Sequence, residues 1–172
     1  MKLLIVVDMQ TDFVDGALGT PEAQAIAENV VKKVSEEKEA GTEIIFTMDT
    51  HETNYLETME GKNLPVEHCI RETEGWKFVP QLRPFAEDCK IIEKPTFGST
   101  KLAHLVANGI YDEIELIGLC TDICVISNAL LAKASVPETP ISIIASCCAG
   151  VTPQSHINAL EAMKMCQIMI KE

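Results

Sequence analysis

One cysteine, one lysine and two aspartates of this 172-residue chain stand directly behind runs of apolar residues, where a strand hands its last side chains to a site. Asp8 follows Leu3-Leu4-Ile5-Val6-Val7, and Asp49 follows Ile44-Ile45-Phe46-Thr47-Met48. Lys94 closes a run over 90–93, and the segment Cys120–Cys124 follows a run over 114–119. Taken singly, each has an ordinary use: an Asp behind a strand makes a turn, a lysine before a proline is a solvated loop charge, and a free cysteine packs as a small hydrophobe. Taken together they have a chemical meaning. A thiol is a strong nucleophile only as thiolate, and a helix N-terminus or a nearby ammonium lowers its pKa. Thr121 and Asp122 are good N-cap residues, which places Cys124 in the first turn of a following helix. Asp8 can then accept the thiol proton and return it to a leaving amine, while Lys94 holds and tunes Asp8.

The set works only if the chain brings those strand ends to one rim. Continuous apolar runs at 3–7, 44–48, 90–93, 114–119, 141–145 and 166–170 read as six strands, the first of them of the kind buried on both faces of a parallel sheet. Ile26, Val30 and Val34, with Ala27 and Val31, make a helical stripe opened by Pro21 and closed by Gly41. Shorter helical patterns cover 100–108, 122–134 and 155–165. Strands and helices alternate, which predicts the α/β class: a single three-layer domain over 1–172, Rossmann-like, with a mainly parallel six-stranded sheet and helices on both faces. In such a sheet ligands bind beyond the carboxyl ends of the strands, where these four segments converge. Residues 49–80 interrupt the rhythm, carry two of the four histidines, and read as a long functional loop.

Composition narrows the function classes. Hydrophobic residues make up 47 % of the chain, enough for a substantial core. A formal charge of −12, with no basic cluster, argues against nucleic acid as a partner. No segment approaches the roughly 20 apolar residues that span a bilayer, and the opening run is too short for a signal peptide, so no membrane partner and a cytoplasmic location are expected. Seven cysteines, an odd count, read as thiols rather than as a disulfide framework.

Three segments resemble the isochorismatase-like cysteine hydrolases, and within them the nicotinamidase branch, over nearly the whole chain. Val7-Asp8-Met9-Gln10 with Asp12-Phe13 is similar to the family's opening strand and catalytic aspartate. Glu93-Lys94-Pro95-Thr96-Phe97-Gly98-Ser99 is similar to its lysine segment, and Gly118-Leu119-Cys120-Thr121-Asp122-Ile123-Cys124-Val125 to its nucleophile motif. The resemblance implies a triad of Asp8, Lys94 and Cys124, and a cis peptide at Leu119–Cys120 that turns the Cys120 and Cys124 N–H groups toward an oxyanion. It implies a divalent metal, zinc or else manganese or iron, on Asp49, His51 and His68, with Glu60 as a candidate fourth ligand. It departs from the branch pattern at Pro65-Val66-Glu67-His68, one residue longer than the usual Pro-x-His-Cys, so the loop is altered.

The expected reaction is hydrolysis of nicotinamide or a close small amide to acid and ammonia through a Cys124 thioester. Another small amide, an N-carbamoyl compound or an ester is the alternative with the same triad. A ligand-binding α/β module without catalysis is the rival of another class, and it lacks support because no Gly-x-Gly-x-x-Gly turn follows the first strand. Phe13, Phe97 and Trp76 are candidates for an aromatic wall around a flat ring, or for core. Relatives imply a homo-oligomer, and Met163 and Met165 on the final helix are candidate interface residues, unless that helix packs on the sheet.

Overall fold

The computed structural model describes residues 1–172. Its six strands are β1 (Lys2–Val7), β2 (Glu43–Asp49), β3 (Lys90–Lys94), β4 (Glu113–Leu119), β5 (Ile141–Ala149) and β6 (Met169–Lys171). All pair in parallel, in the order β3-β2-β1-β4-β5-β6. The helices are α1 (Thr11–Val14), α2 (Pro21–Glu39), α3 (Met59–Asn63), α4 (Arg83–Ala86), α5 (Thr100–Asn108), α6 (Ile126–Ser135) and α7 (Pro153–Met165). A 3₁₀ turn at Tyr55–Glu57 and a π-turn at Thr121–Val125 complete the elements.

The unbroken apolar run of β1 has the cause expected of it. Because successive strand residues face opposite ways, Leu4 and Val6 enter one core with Val30 and Val34 of α2. Leu3, Ile5 and Val7 enter a second core with Leu102 of α5, Ala129 of α6 and Met163 of α7. Two cores around one sheet make the three layers. The α2 start follows its sequence signals: Thr20 accepts the Ala23 N–H at 3.0 Å, and Pro21 takes the first helical position. Gly41, at φ +76°, ends the segment.

Local expectations shift in three places. The sixth strand begins at Met169 rather than 166, because Cys166 caps α7 and Gln167 takes φ +63° before the chain straightens. Met163 is fully buried while Met165 is 85 % exposed. Two residues along a helix turn through roughly 200°, so the pair cannot share a face, and Met163 belongs to the core rather than to an interface. The segment 49–80 is not bare loop: the 3₁₀ turn and α3 lie within it, and isolated bridges tie Gln10 to Phe78 and His51 to Ile70.

Strand order decides where a site can form. The chain runs outward from β1 through β2 to β3, then returns to place β4 on the other side of β1. The order reverses between β1 and β4, and such a reversal leaves a crevice at the carboxyl ends because the following loops diverge. Gly118 makes the two strands meet closely there. Its φ is +115°, and a Cβ would lie 2.1 Å from the Val7 carbonyl oxygen.

Candidate active site

Asp8 leaves β1 with φ +47° and no solvent exposure. Its Oδ1 accepts the Thr47 hydroxyl at 2.6 Å, and its Oδ2 lies 2.6 Å from Lys94 Nζ. Lys94, also buried, donates to Asp49 Oδ1 at 3.2 Å and to the Thr96 carbonyl at 3.1 Å. The same ammonium stands 3.5 Å from Cys124 Sγ. The ends of β1, β2 and β3 and the turn after β4 thus deliver a carboxylate, a second carboxylate, an ammonium and a thiol to one point, as their positions behind apolar runs predict.

Electrostatics at this point differ from the expectation of a ready thiolate. Burial pushes the Cys124 thiol well up, the Asp8 charge adds to the rise, and Lys94 only opposes it. Thr121 and Asp122 do not cap the helix that carries Cys124 either. Position 120 is the N-cap and makes no side-chain cap bond. The Thr121 hydroxyl pairs with His156, and the Asp122 carboxylate accepts the Val151 N–H. Desolvation and the Asp8 charge thus both favour the neutral thiol over the thiolate at Cys124. Burial likewise raises the Asp8 pKa, with Lys94 pulling it down and Asp49 adding to the rise, so Asp8 is a stronger base than an exposed carboxylate. Burial works to lower the Lys94 pKa, but Asp8, Cys124 and Asp49 hold it high, and the ammonium stays charged.

The peptide at Leu119–Cys120 is cis. Among hydrogen bonds made outside regular helices and strands, the Cys120 carbonyl accepts two, from Ile123 and Val125, while its own N–H donates none.

Beside this cluster, one ligand atom each from Asp49, His51, Glu60 and His68 lies within 4.8 Å of the others. His51 Nε2 is 2.9 Å from Asp49 Oδ2, and His68 Nε2 is 3.6 Å from the same oxygen. Glu60 Oε1 is 3.6 Å from His51 Nε2 and 3.7 Å from His68 Nε2. His68 Nδ1 lies 2.8 Å from the Val66 carbonyl, an acceptor that makes Nδ1 the donor and leaves Nε2 facing the cluster. Burial raises the Glu60 pKa, and the charge of Asp49 adds to it, an excess of negative charge that a divalent cation would balance. Two carboxylates and two imidazoles fit such an ion. The residue-longer loop after Pro65 still brings His68 into place.

A cavity of about 270 Å³ opens onto Cys124, Cys120, His68, Asp49 and Glu60. Its walls are mostly apolar: Phe13, Leu18, Leu64, Phe97, Ile123 and Val151. Trp76 is not among them. It lines a separate and larger groove of about 550 Å³ that holds none of the candidate residues, and its indole N–H donates to the Thr50 hydroxyl at 2.9 Å. Two of the three aromatic candidates thus face the cavity, and the third supports the loop.

Several supporting residues carried no readable role in sequence. Gln10 is fully buried; its amide nitrogen donates to the carbonyls of Asp49 at 2.8 Å and Trp76 at 2.7 Å, and its oxygen accepts the Asp49 N–H at 2.8 Å. Asn128 accepts the Ser99 N–H at 2.9 Å and donates to the Cys124 carbonyl at 2.8 Å, tying the segment after Lys94 to the helix that carries Cys124. The available signal was a polar residue on a buried face: Thr47 inside an apolar strand, and Asn128 one helical turn after Cys124.

Comparisons with known proteins agree with this geometry. A family profile, the Isochorismatase domain, matches residues 2–171. The nicotinamidase/pyrazinamidase of Mycobacterium tuberculosis (strain ATCC 25618 / H37Rv) is 25 % identical, over 98 % of this chain and 97 % of that protein. The crystal structure of nicotinamidase/pyrazinamidase PncA from Bacillus subtilis superposes with a TM-score of 0.87 at 28 % identity, covering 99 % of each chain. A pyrazinamidase of Pyrococcus horikoshii, solved in complex with zinc, superposes with a TM-score of 0.85 at 31 % identity, covering 99 % of this chain and 98 % of that one.

Proposed function

The chain belongs to the isochorismatase family, and we propose that it hydrolyses the carboxamide of a small flat heteroaromatic amide, nicotinamide or pyrazinamide, to the acid and ammonia. The observation that carries this reading is the contact set of Lys94, whose single ammonium reaches Asp8, Asp49 and the Cys124 sulfur. A buried thiol with a raised pKa needs a base at hand, and Asp8 is a buried base whose charge Lys94 balances.

Asp8 takes the Cys124 proton as the sulfur attacks the amide carbon. The carbonyl oxygen gathers negative charge, which the N–H groups of Cys120 and Cys124 stabilise. Collapse breaks the C–N bond, and Asp8 passes the proton it holds to the departing nitrogen, so ammonia leaves and a thioester remains. Asp8 then takes a proton from an entering water, whose oxygen attacks the thioester carbon. The acid is released, and the proton returns to the sulfur. Throughout, Lys94 keeps one positive charge beside a group that alternates between carboxylate and acid.

Phe13 and Phe97 flank the ring, and the apolar walls exclude bulk water from the thioester. A divalent cation, zinc foremost with manganese and iron(II) as alternatives, would be held by Asp49, His51, Glu60 and His68 and would supply Lewis acidity toward a substrate lone pair.

The test is ammonia release from nicotinamide and pyrazinamide by purified protein whose metal content is measured. Wild type is expected to turn both over. Cys124→Ala should lose on the order of 10³-fold or more in kcat while keeping its metal, since residues acting as a nucleophilic unit show losses of this size. Amidase activity surviving in Cys124→Ala removes the cysteine from its role.

A further inference from the structure

α7 contributes nothing to the cavity that opens onto Cys124, yet one of its side chains reaches the turn that carries the nucleophile. Thr121 stands between Cys120 and Cys124 and has no solvent exposure. Its hydroxyl makes one hydrogen bond, to His156 Nδ1 at 2.8 Å. The imidazole can donate to or accept from a hydroxyl, so one bond persists whichever ring nitrogen carries the proton. His156 is itself held firmly. A capping box between Thr152 and Ser155 starts α7, Pro153 takes the first helical position, and the His156 N–H donates to the Thr152 carbonyl at 3.0 Å. Gly150 permits the fit, because a Cβ there would lie 2.8 Å from the His156 backbone nitrogen.

The turn so gripped is the one that aims the chemistry. The Thr121 carbonyl accepts from the N–H of Ile126, which opens the first turn to π geometry, and the Cys120 carbonyl accepts from Ile123 and Val125. A second tie from the same loop reaches it, since the Asp122 carboxylate accepts the Val151 N–H at 3.1 and 3.2 Å from its two oxygens. Cys124 Sγ and the Cys120 N–H are both set by the orientation of these few residues. We propose that His156 is a positioning residue: through Thr121 it holds the Cys120–Cys124 turn in the register that presents the sulfur to Asp8 and Lys94. This role rests on the function proposed above.

The physical grounds are those of a buried hydroxyl. Thr121 is fully buried while His156 is half-buried, so replacing the imidazole with an apolar side chain takes away the one protein partner of the Thr121 hydroxyl and frees the turn to move toward another. A shift of roughly 1 Å at a reacting atom can cost on the order of 100-fold in rate. Replacing both partners with apolar groups of similar shape is nearly neutral, because no orphaned polar atom is left.

The experiment compares His156→Leu, His156→Asn, Thr121→Val and the double variant Thr121→Val/His156→Leu. Two readouts are taken: steady-state kinetics on nicotinamide, and the rate of iodoacetamide alkylation at Cys124 mapped by mass spectrometry. In His156→Leu we expect kcat to fall about 10-fold with KM within twofold, and Cys124 alkylation to change at least threefold. His156→Asn, whose amide places a polar atom where Nδ1 stands, should recover most of both. The double variant should be no worse than His156→Leu alone. Unchanged kcat and alkylation in His156→Leu overturn the proposal, as do additive losses in the double variant or no recovery in His156→Asn. If His156→Leu does not fold, the Asn and Thr121→Val variants decide by the same readouts: Asn must stay near wild type, and Thr121→Val must lower kcat at constant KM. Wild type that leaves nicotinamide intact defeats the functional reading, and the alkylation rates still judge His156.

Discussion

Lys94 is where the chemistry and the stability of this protein meet. A lysine with 1 % exposure would ordinarily be neutral or disruptive, and it is tolerated because two buried carboxylates face it. Removing the cation reverses the balance, since Asp8 and Asp49 would then repel each other without solvent. Lys94→Met is therefore expected to cost about 3–5 kcal/mol, the usual penalty for breaking a buried pair by deleting one partner. For a chain of this length that is a drop of roughly 10 °C in Tm, read by calorimetry or circular dichroism. A Tm within 2 °C of wild type would show that the pair is not desolvated as described. Cys124 makes the complementary point. Burial and the Asp8 charge raise its pKa rather than lower it, so the proposed attack by this sulfur requires an adjacent base rather than a preformed thiolate.

Elements act through their ends. β1 and β4 run side by side with Val7 opposite Gly118, and the residues that follow each strand are Asp8 and the Cys120–Cys124 turn. Position 118 sets how closely those ends approach. Gly118→Ala would place a methyl group against the Val7 carbonyl and force φ +115° on a residue with a Cβ. Strain at such a backbone costs about 1–3 kcal/mol, and relief of the overlap must push the two strand ends apart. Two effects are expected together in this variant: a urea midpoint lowered by the equivalent of about 3 kcal/mol, and a kcat reduced on the order of 100-fold as thiol and carboxylate separate. A variant with wild-type kcat would mean that the spacing of these strands does not govern the site.

In the molecule as a whole, a second charged group, its carboxylates buried and its lysines partly exposed, stands away from the site. Away from the cavity, Glu115 of β4 meets Lys2 at 2.6 Å, Lys33 at 3.0 Å and Lys171 at 2.7 Å, and Glu37 of α2 meets Lys2 at 2.6 Å and Lys33 at 2.7 Å. This network staples β1, β4, β6 and α2 together. Burial opposes the shift, but hydrogen bonds from these lysines, with Thr42 adding to those on Glu37, hold both carboxyl pKa values down at about 2, against 4.5 ordinarily. A depressed carboxylate contributes stability that is complete above its unfolded pKa and is lost as pH falls through its folded one. Unfolding free energy should thus decline between pH 4.5 and about 2, by on the order of 2 kcal/mol for each glutamate once the full shift is discounted for solvent screening of the partly exposed lysines. Glu115→Gln should flatten that acid limb when urea titrations are run at several pH values, and an unchanged slope would assign acid sensitivity elsewhere. No helix is long and apolar enough to cross a membrane.

The sequence by itself determined the α/β class, five of the six strands to within a few residues, and which side chains stand at the strand ends, because apolar periodicity and caps are local properties written along the chain. It also singled out Asp8, Lys94, Cys124 and the Asp49–His51 pair, which sit in recognisable short motifs, and offered His68 and Glu60 from the long loop, where His68 stands in an altered motif and Glu60 in none. Tertiary structure alone revealed the burial that pushes the Cys124 thiol pKa up, because desolvation comes from residues distant in sequence. It alone assigned Trp76 to the outer groove, Met163 to the core, and Gln10, Asn128 and His156 to support. Those roles are contacts between segments 29 to 66 residues apart, and no spacing within a single segment encodes them.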